Sequence, residues 1–185
     1  MRNVILKFGL IAGAMLSVAM LVSLQFQDRI GFDKSAWVGY TSMVVAFLMV
    51  YFGVRAYRDD VGGGRISFGR AFAVGGLIVL VASLCYVATW EFIYFRLSPD
   101  FMDKYAAYAM EQARARGASD TELAAQAKQM AEFSVKYHNI FFNAAVTLLE
   151  PLPVGLIITL VSAGLLSRRR DRQSASPARA TAALG

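Results

Sequence analysis

Four long apolar stretches, separated by short or polar connections, dominate the pattern of the chain. Three of them carry no charged residue (8–24, 36–54 and 71–90), and the fourth (140–167) carries only Glu150. A transmembrane helix needs about 20 mainly apolar residues, so the pattern predicts an all-α membrane protein with four transmembrane helices. The composition agrees, because 57% of the residues are hydrophobic and 185 residues leave room for one domain. We expect that domain to span residues 1–167.

The first stretch is either a retained anchor or a cleaved signal peptide, because basic residues precede its apolar core. This core is longer than the roughly 7 to 15 residues usual in a signal peptide, and no convincing cleavage site follows it. The length therefore favours an anchor that stays in the membrane.

Small residues recur every four positions along the first and the fourth stretch. They are Gly9, Gly13 and Ser17 in the first, and Gly155, Thr159 and Ala163 in the fourth. Small side chains let two membrane helices approach closely. We therefore expect the first and fourth helices to pack against each other through these two stripes.

The connection between the second and third stretches holds four arginines, Arg55, Arg58, Arg65 and Arg70. Further basic residues lie at the amino terminus and in the tail 168–185, whereas the other connections have their basic residues balanced by acids. Cytoplasmic connections of membrane proteins are rich in lysine and arginine. The four arginines are thus predicted topology anchors, both termini should be cytoplasmic, and the tail should be disordered in the cytoplasm. In the connection itself, the glycines at 62–64 predict a turn and Ser67 a helix N-cap.

The long connection 98–137 is predicted to form an extracytoplasmic helical hairpin. A proline near its start and Gly117 at its middle bound a first helix over 99–116. Ser119 and Glu122 match a capping box that begins a second helix. No glycine or proline interrupts 121–150, so we expect the second helix to continue unbroken into the fourth span.

Two segments around the arginine-rich connection carry a resemblance to a known family. They are Phe-Gly-Val-Arg-Ala-Tyr-Arg-Asp at 52–59 and Gly-Gly-Arg-Ile-Ser-Phe-Gly-Arg-Ala-Phe at 63–72, with Trp90-Glu91 and Pro99-Asp100-Phe101 further along. The chain resembles the uncharacterised bacterial membrane family DUF4199 over about residues 4–167. The resemblance implies a multi-pass protein of the bacterial inner membrane and implies no activity, cofactor or catalytic residue.

Charge and composition exclude several other classes of function. The net charge of +6 is spread over the ends of apolar stretches, which argues against a nucleic-acid-binding surface. A single cysteine, Cys85, and a single histidine, His138, give no disulfide framework and no cofactor-binding or metal-binding motif, although a mixed site of His138 with glutamates stays a minor alternative. No serine stands in a context that suggests a catalytic triad, so we expect no enzyme and no cofactor.

Acidic residues inside a membrane span are costly and are candidates for function. Glu150 lies in the fourth span directly before Pro151 and near Pro153, which should break the helix there. Asn143 shares the helical face of Glu150, and Glu91 should lie at a similar depth. We predict a polar site around Glu150, Glu91 and Asn143, with Glu150 the most buried of the acids.

Two hypotheses for the function follow. The first is a non-enzymatic scaffold whose apolar hairpin face packs over the spans, binds a protein partner or self-associates in the lipid bilayer. The second is a small transporter or ion-coupled subunit with its polar site at Glu150.

Overall fold

The computed structural model describes residues 1–167, except for the side chains of residues 27–30, so the predicted tail 168–185 lies outside the described residues. The described chain is helical and contains no strand. Its helices are α1 (Arg2–Phe26), α2 (Gly31–Asp60), α3 (Phe68–Phe92, extended by a π-helical turn at Ile93–Leu97), α4 (Phe101–Ala115), α5 (Asp120–Tyr137), α6 (Ile140–Leu149) and α7 (Pro151–Ser167).

Four of these segments are long and apolar enough to cross a bilayer, which confirms the prediction of four helices with the length and composition of membrane spans. They are α1, α2, α3 with its π-helical turn, and α6 together with α7. The first two follow each other at Gly31, whose φ of 76° and ψ of 166° lie outside the helical region. Glycine adopts such a positive φ without the strain that a Cβ would cause, so the chain can change direction there.

The third span is the central element of the fold, and both small-residue stripes pack against it. A Cβ at Gly9 would lie 2.7 Å from Val81 Cβ, and the Ser17 and Thr89 hydroxyls are 2.7 Å apart. The expectation that the two stripes pack against each other is therefore wrong. A stripe of small residues marks where a helix can be approached, but any neighbouring backbone can occupy the space.

The stripe of α7 packs against the same span from another side. A Cβ at Gly155 would lie 2.5 Å from Val79 Cγ1, and one at Gly75 would lie 2.8 Å from Thr159 Cγ2. The later residue of α3 in these contacts, Val79, meets the earlier residue of α7, Gly155, so the two helices run antiparallel. The start of α1, the 61–67 connection and the end of α7 therefore share one end of the molecule, which we call the arginine end. The opposite side is the hairpin end.

The connection at the arginine end is a turn formed by glycines, as predicted. Gly63 and Gly64 have positive φ values of 57° and 80°, and Ser67 precedes α3 with an extended backbone but without a side-chain capping bond. Arg58 is buried, and its Nε donates to Asp59 Oδ1 over 2.7 Å. Of the predicted anchors, Arg55 also lies beside Asp59, while Arg65 and Arg70 are exposed.

The connection between the third and fourth spans is a helical hairpin of α4 and α5. Gly117, with a φ of 81°, separates the two helices, and the capping box of Ser119 and Glu122 is present as predicted. The prediction that α5 continues unbroken into the fourth span is wrong. The chain breaks at Asn139, whose side-chain oxygen accepts from the amides of Phe141 and Phe142 over 3.0 and 3.2 Å and caps α6. Asparagine is among the best N-caps, and it can start a new helix without help from glycine or proline.

Aromatic side chains join the hairpin to the spans. The Phe32 ring of α2 lies 5.9 Å from Phe101 and 5.6 Å from Tyr105 of α4, centroid to centroid. Trp90 of α3 meets Phe101 at 4.9 Å, edge to face. On α5, Tyr137 is buried, whereas Phe141, one turn further along the chain and beyond the break at Asn139, is 83% exposed. Part of the apolar surface of the hairpin thus packs against the spans.

Two clusters of buried apolar side chains result. The larger one fills the space between the spans and includes Phe47, Val50 and Ile78. The smaller one, at the hairpin end, is built on Tyr94, Met102 and Tyr137, with Trp90 and Phe101 packed beside them.

Candidate functional site

A cavity of about 660 Å³ lies at the hairpin end, between the spans and the hairpin. Every helix except α7 contributes to its wall. Its larger side chains are the aromatic rings of Phe32, Tyr86, Trp90, Phe101, Tyr105, Phe133 and Tyr137 and the methionines Met20, Met43 and Met102. The remaining wall is aliphatic or carries hydroxyls, and Glu150 is the one carboxylate among its described residues.

Glu150 reaches the cavity because the fourth span breaks at this residue. α6 ends at Leu149 and α7 begins at Pro151, as the prolines predicted. The Glu150 amide donates to Thr147 O over 3.3 Å, so that carbonyl keeps a partner despite the break. Its side chain is exposed, which corrects the expectation that Glu150 is the most buried acid. Because the exposed Glu150 and Leu149 both line the wall, the cavity opens to the surroundings beside them.

A phenol from the third span fixes the orientation of this carboxylate. The Tyr86 hydroxyl donates to Glu150 Oε2 over 2.7 Å, linking residues that are far apart in the sequence. The second oxygen, Oε1, accepts no hydrogen bond from a described side chain, and no described basic side chain pairs with Glu150.

A second polar contact crosses the wall of the cavity between α3 and α5. Trp90 Nε1 donates to the Tyr137 hydroxyl oxygen over 2.9 Å. Burial raises the pKa of the Tyr137 phenol above its usual value, and the charges of Glu150 and Glu91 act in the same direction. The phenol therefore stays protonated at physiological pH and acts here as a neutral hydrogen-bonding group.

Asn143 is completely buried, and its polar atoms are used within the helical framework. Its Nδ2 donates to Tyr137 O over 3.2 Å, and its Oδ1 accepts from the Thr147 hydroxyl over 3.1 Å. These bonds tie α6 to the end of α5 across the break at Asn139. Asn143 is absent from the described wall of the cavity, although it lies on the helix that leads to Glu150.

Glu91 makes no hydrogen bond to either of the other predicted site residues. Its two carboxylate oxygens are buried and have no hydrogen-bonding partner among the described residues, and it does not line the cavity. The structure thus brings Glu150 to the cavity and leaves Glu91 and Asn143 away from it. His138 is exposed, with its ring 5.5 Å from that of Phe95, and no three metal-ligating side chains cluster in the described part of the chain.

A family model described as "Protein of unknown function (DUF4199)" matches residues 7–168. The chain belongs to the DUF4199 family. The matched residues include the four spans and the hairpin, so the cavity lies wholly within the part that defines the DUF4199 family. No curated protein and no solved structure matches the chain.

Three side chains at the candidate site of this DUF4199 member were not predicted from the sequence. Tyr86, Trp90 and Tyr137 supply the hydrogen bonds beside Glu150. A signal for the first two was present, because Tyr86 and Trp90 stand four residues apart and so share one helical face. No local pattern could reveal Tyr137 as a partner of Trp90, because that contact depends on how the hairpin folds back.

Proposed function

We propose that this protein binds a small amphipathic molecule in the cavity at its hairpin end, with the polar part of the ligand beside Glu150. The observation that carries the proposal is a cavity whose mostly apolar wall comes from six helices and holds one carboxylate, which Tyr86 orients by a hydrogen bond. Ligand sites are typically concave and mostly apolar, with a few well-placed polar groups and volumes of about 300–1,000 Å³. The volume of about 660 Å³ lies in the middle of that range.

The position of Glu150 along the span supports a ligand that comes from the bilayer. Glu150 lies about 26 Å from Ser167 along the helix axis, at about 1.5 Å per residue. Tyr86 lies at a comparable distance from the start of α3. With a hydrocarbon core of about 30 Å, the pair is near the boundary between hydrocarbon and headgroups at the hairpin end. An amphipathic molecule has its natural depth there, with its apolar part in the cavity.

This proposal develops the transporter hypothesis, since binding beside Glu150 is the step that a transporter would share. It does not require that the ligand crosses the membrane. The scaffold hypothesis stays a prediction. Part of the apolar hairpin surface that motivated it is used internally, where Met102 and Tyr137 are buried and Phe101 packs on Trp90. The protein has no enzymatic role in this proposal, because the described wall of the cavity carries no histidine, lysine or cysteine beside its single acid.

We further infer that the arginine end faces the cytoplasm of a bacterial cell, with the hairpin on the outer side of the inner membrane. The support is that Arg2 and Lys7 share this end with the four arginines in and beside the 61–67 turn (Arg55, Arg58, Arg65 and Arg70), which fits the positive-inside rule. Reporter fusions test it. Alkaline phosphatase inserted at Gly117 should be active, and the same enzyme fused after Ser167 should be inactive. The opposite pair of activities would reverse the orientation.

Glycines provide a matched test of the binding proposal. Gly39 lines the cavity and has nothing within 4 Å of an added Cβ, so Gly39→Leu should fill part of the cavity without a clash. Gly164 also has nothing within 4 Å of an added Cβ, but it is not part of the cavity wall. Gly164→Leu therefore controls for adding the same side chain to a membrane helix.

The readout is native mass spectrometry of protein extracted from its membrane in mild detergent. We expect a small-molecule adduct on the wild-type protein and on Gly164→Leu, and a strongly reduced adduct on Gly39→Leu. A wild-type protein without any adduct, or an adduct of equal abundance on both leucine variants, would contradict the proposal. Monodisperse elution of all three proteins is the control for folding.

A further inference from the structure

We propose that the ligand of the cavity is an amphipathic organic cation, whose positive charge is held between Glu150 and the aromatic rings. This inference rests on the proposed function, because it names the chemical class of the ligand for the same cavity. The support comes from the charge of the described wall, the kind of rings that surround it and the hydrogen bond that orients the carboxylate.

The charge of the wall selects against an anion. Glu150 is its single formally charged side chain, and none of the described wall residues is basic. An anion would therefore meet a carboxylate with no compensating cation. A carboxylate near hydrocarbon is itself unfavourable unless it is protonated or paired. A cationic ligand supplies the missing partner and offsets the desolvation of both charges.

The rings of the wall suit a cation as well as an apolar body. Trp90 and Phe101 meet edge to face at 4.9 Å, and Phe133 and Tyr137 stack at 5.4 Å. All four rings line the cavity. Ring faces attract organic cations, and a cage of rings with a carboxylate is a frequent solution for quaternary ammonium groups. Neutral apolar molecules gain nothing from the carboxylate, so the same wall prefers a cation of equal size.

The hydrogen bond from Tyr86 makes the carboxylate ready for such a ligand. Tyr86 donates to Oε2 over 2.7 Å, which fixes the orientation of the carboxyl group. Oε1 accepts no hydrogen bond from the described side chains. This second oxygen is thus available to a cationic headgroup without loss of the contact between α3 and the fourth span.

Two ions of the same shape and opposite charge test the inference. They are tetraphenylphosphonium and tetraphenylborate, each titrated into the full-length protein in nanodiscs of zwitterionic lipid. Trp37→Phe leaves Trp90, which lines the cavity, as the single tryptophan, so saturable fluorescence quenching reports occupancy. We expect the cation to bind at least about tenfold more tightly than the anion, as expected for a desolvated charge contact.

Glu150→Gln should remove the preference for the cation over the anion. Glu91→Gln should keep that preference, because Glu91 does not line the cavity. Saturable binding without a charge preference, or a preference that survives Glu150→Gln, would overturn the cationic ligand but leave the binding site intact. Absence of saturable quenching by either ion, or quenching unaffected by Gly39→Leu, would instead overturn the binding site itself. If Glu150→Gln does not fold, the wild-type preference alone decides the question.

Discussion

The two halves of the membrane-spanning region are built from side chains of different size. In the half towards the arginine end, glycines bring helices into direct contact, as Gly155 does with Val79 and Gly75 with Thr159. In the half towards the hairpin end, rings such as Trp90 and Phe133 hold the helices apart and surround a cavity. We call these the tight half and the open half.

The difference separates a structural region from a candidate functional one. Close approach of backbones maximises van der Waals contact, which is a main source of helix association where lipid replaces water. The open half gives up part of that contact and leaves space near an acid. The effect of an added side chain therefore depends on what a glycine faces: it would clash at Gly155 or Gly75, which face a neighbouring helix, and would enter free space at Gly39, which faces the cavity.

The largest expected effect is that of Gly155→Leu in the tight half. An added Cβ would lie 2.5 Å from Val79 Cγ1, so the two helices must separate. Overpacking usually destabilises by about 1–3 kcal/mol, and we expect a value at the upper end of that range because backbone rather than a flexible side chain must move. Unfolding measured by steric trapping in bicelles gives the value. Gly164→Leu on the same helix and Gly39→Leu in the open half should each change the free energy of unfolding little. Equal losses of stability in all three variants would remove the distinction between the halves.

Asn143→Leu should destabilise the junction between the hairpin and the fourth span. Asn143 is completely buried and bonds both Tyr137 O and the Thr147 hydroxyl. An apolar residue would remove both of these buried hydrogen bonds, at a cost of about 1–3 kcal/mol. The same unfolding measurement applies, with Ala145→Leu on the exposed side of α6 as the control. A stable Asn143→Leu protein would show that these bonds contribute little.

Trp90→Phe should have a smaller effect, because it removes one hydrogen bond and keeps an aromatic ring. The bond from Trp90 Nε1 to the Tyr137 hydroxyl joins the third span to the hairpin over 2.9 Å. Its loss should lower the free energy of unfolding by about 0.5–1.5 kcal/mol. Trp37→Phe is the matched control, since Trp37 is 75% exposed. Equal effects of the two substitutions would contradict a structural role for the Trp90 bond.

The smallest expected effect is a pH dependence at the start of α5. The Ser119 backbone amide and hydroxyl donate to Glu122, which lowers the pKa of that carboxyl group below its usual value. A lowered pKa in the folded protein stabilises the helix above the unfolded pKa, and this stabilisation is lost as the pH falls through the folded pKa. Hydrogen-exchange protection of the first turn of α5 should therefore decrease in acid. Glu122→Gln should show a pH-independent protection; the same acid sensitivity in that variant would point to another group.

The spans and the hairpin were predictable because their signals are local. The length of the apolar stretches predicted the four spans, and Ser119 with Glu122 predicted the start of α5. The prolines at 151 and 153 predicted the break at Glu150. The break at Asn139 was missed because only glycine and proline were considered as interruptions, whereas asparagine can also begin a new helix as its N-cap. Its capping bonds to Phe141 and Phe142 end the continuity that the absence of glycine and proline had suggested.

The site was predictable only in part, because it depends on the contacts between helices. The break beside Glu150 could be located from the sequence, yet the exposure of Glu150 and the burial of Glu91 depend on how each span is rotated. Periodicity also could not show that both small-residue stripes meet α3. The cavity itself has no sequence signal, since it is the space left where α4 and α5 fold back over α2 and α3.

The most direct test of an open half is the reactivity of single cysteines on α2. Ser42 lines the cavity, whereas Val44 on the same helix is 47% exposed and is not part of the cavity wall. In a Cys85→Ala background, Ser42→Cys should react with a membrane-impermeant, cationic methanethiosulfonate. Tetraphenylphosphonium should slow that reaction by occupying the cavity. The control variant, Val44→Cys, should stay unmodified because its side chain faces lipid. Two cysteines that react alike, or a Ser42→Cys protein that the reagent never modifies, would contradict an accessible binding cavity at the hairpin end.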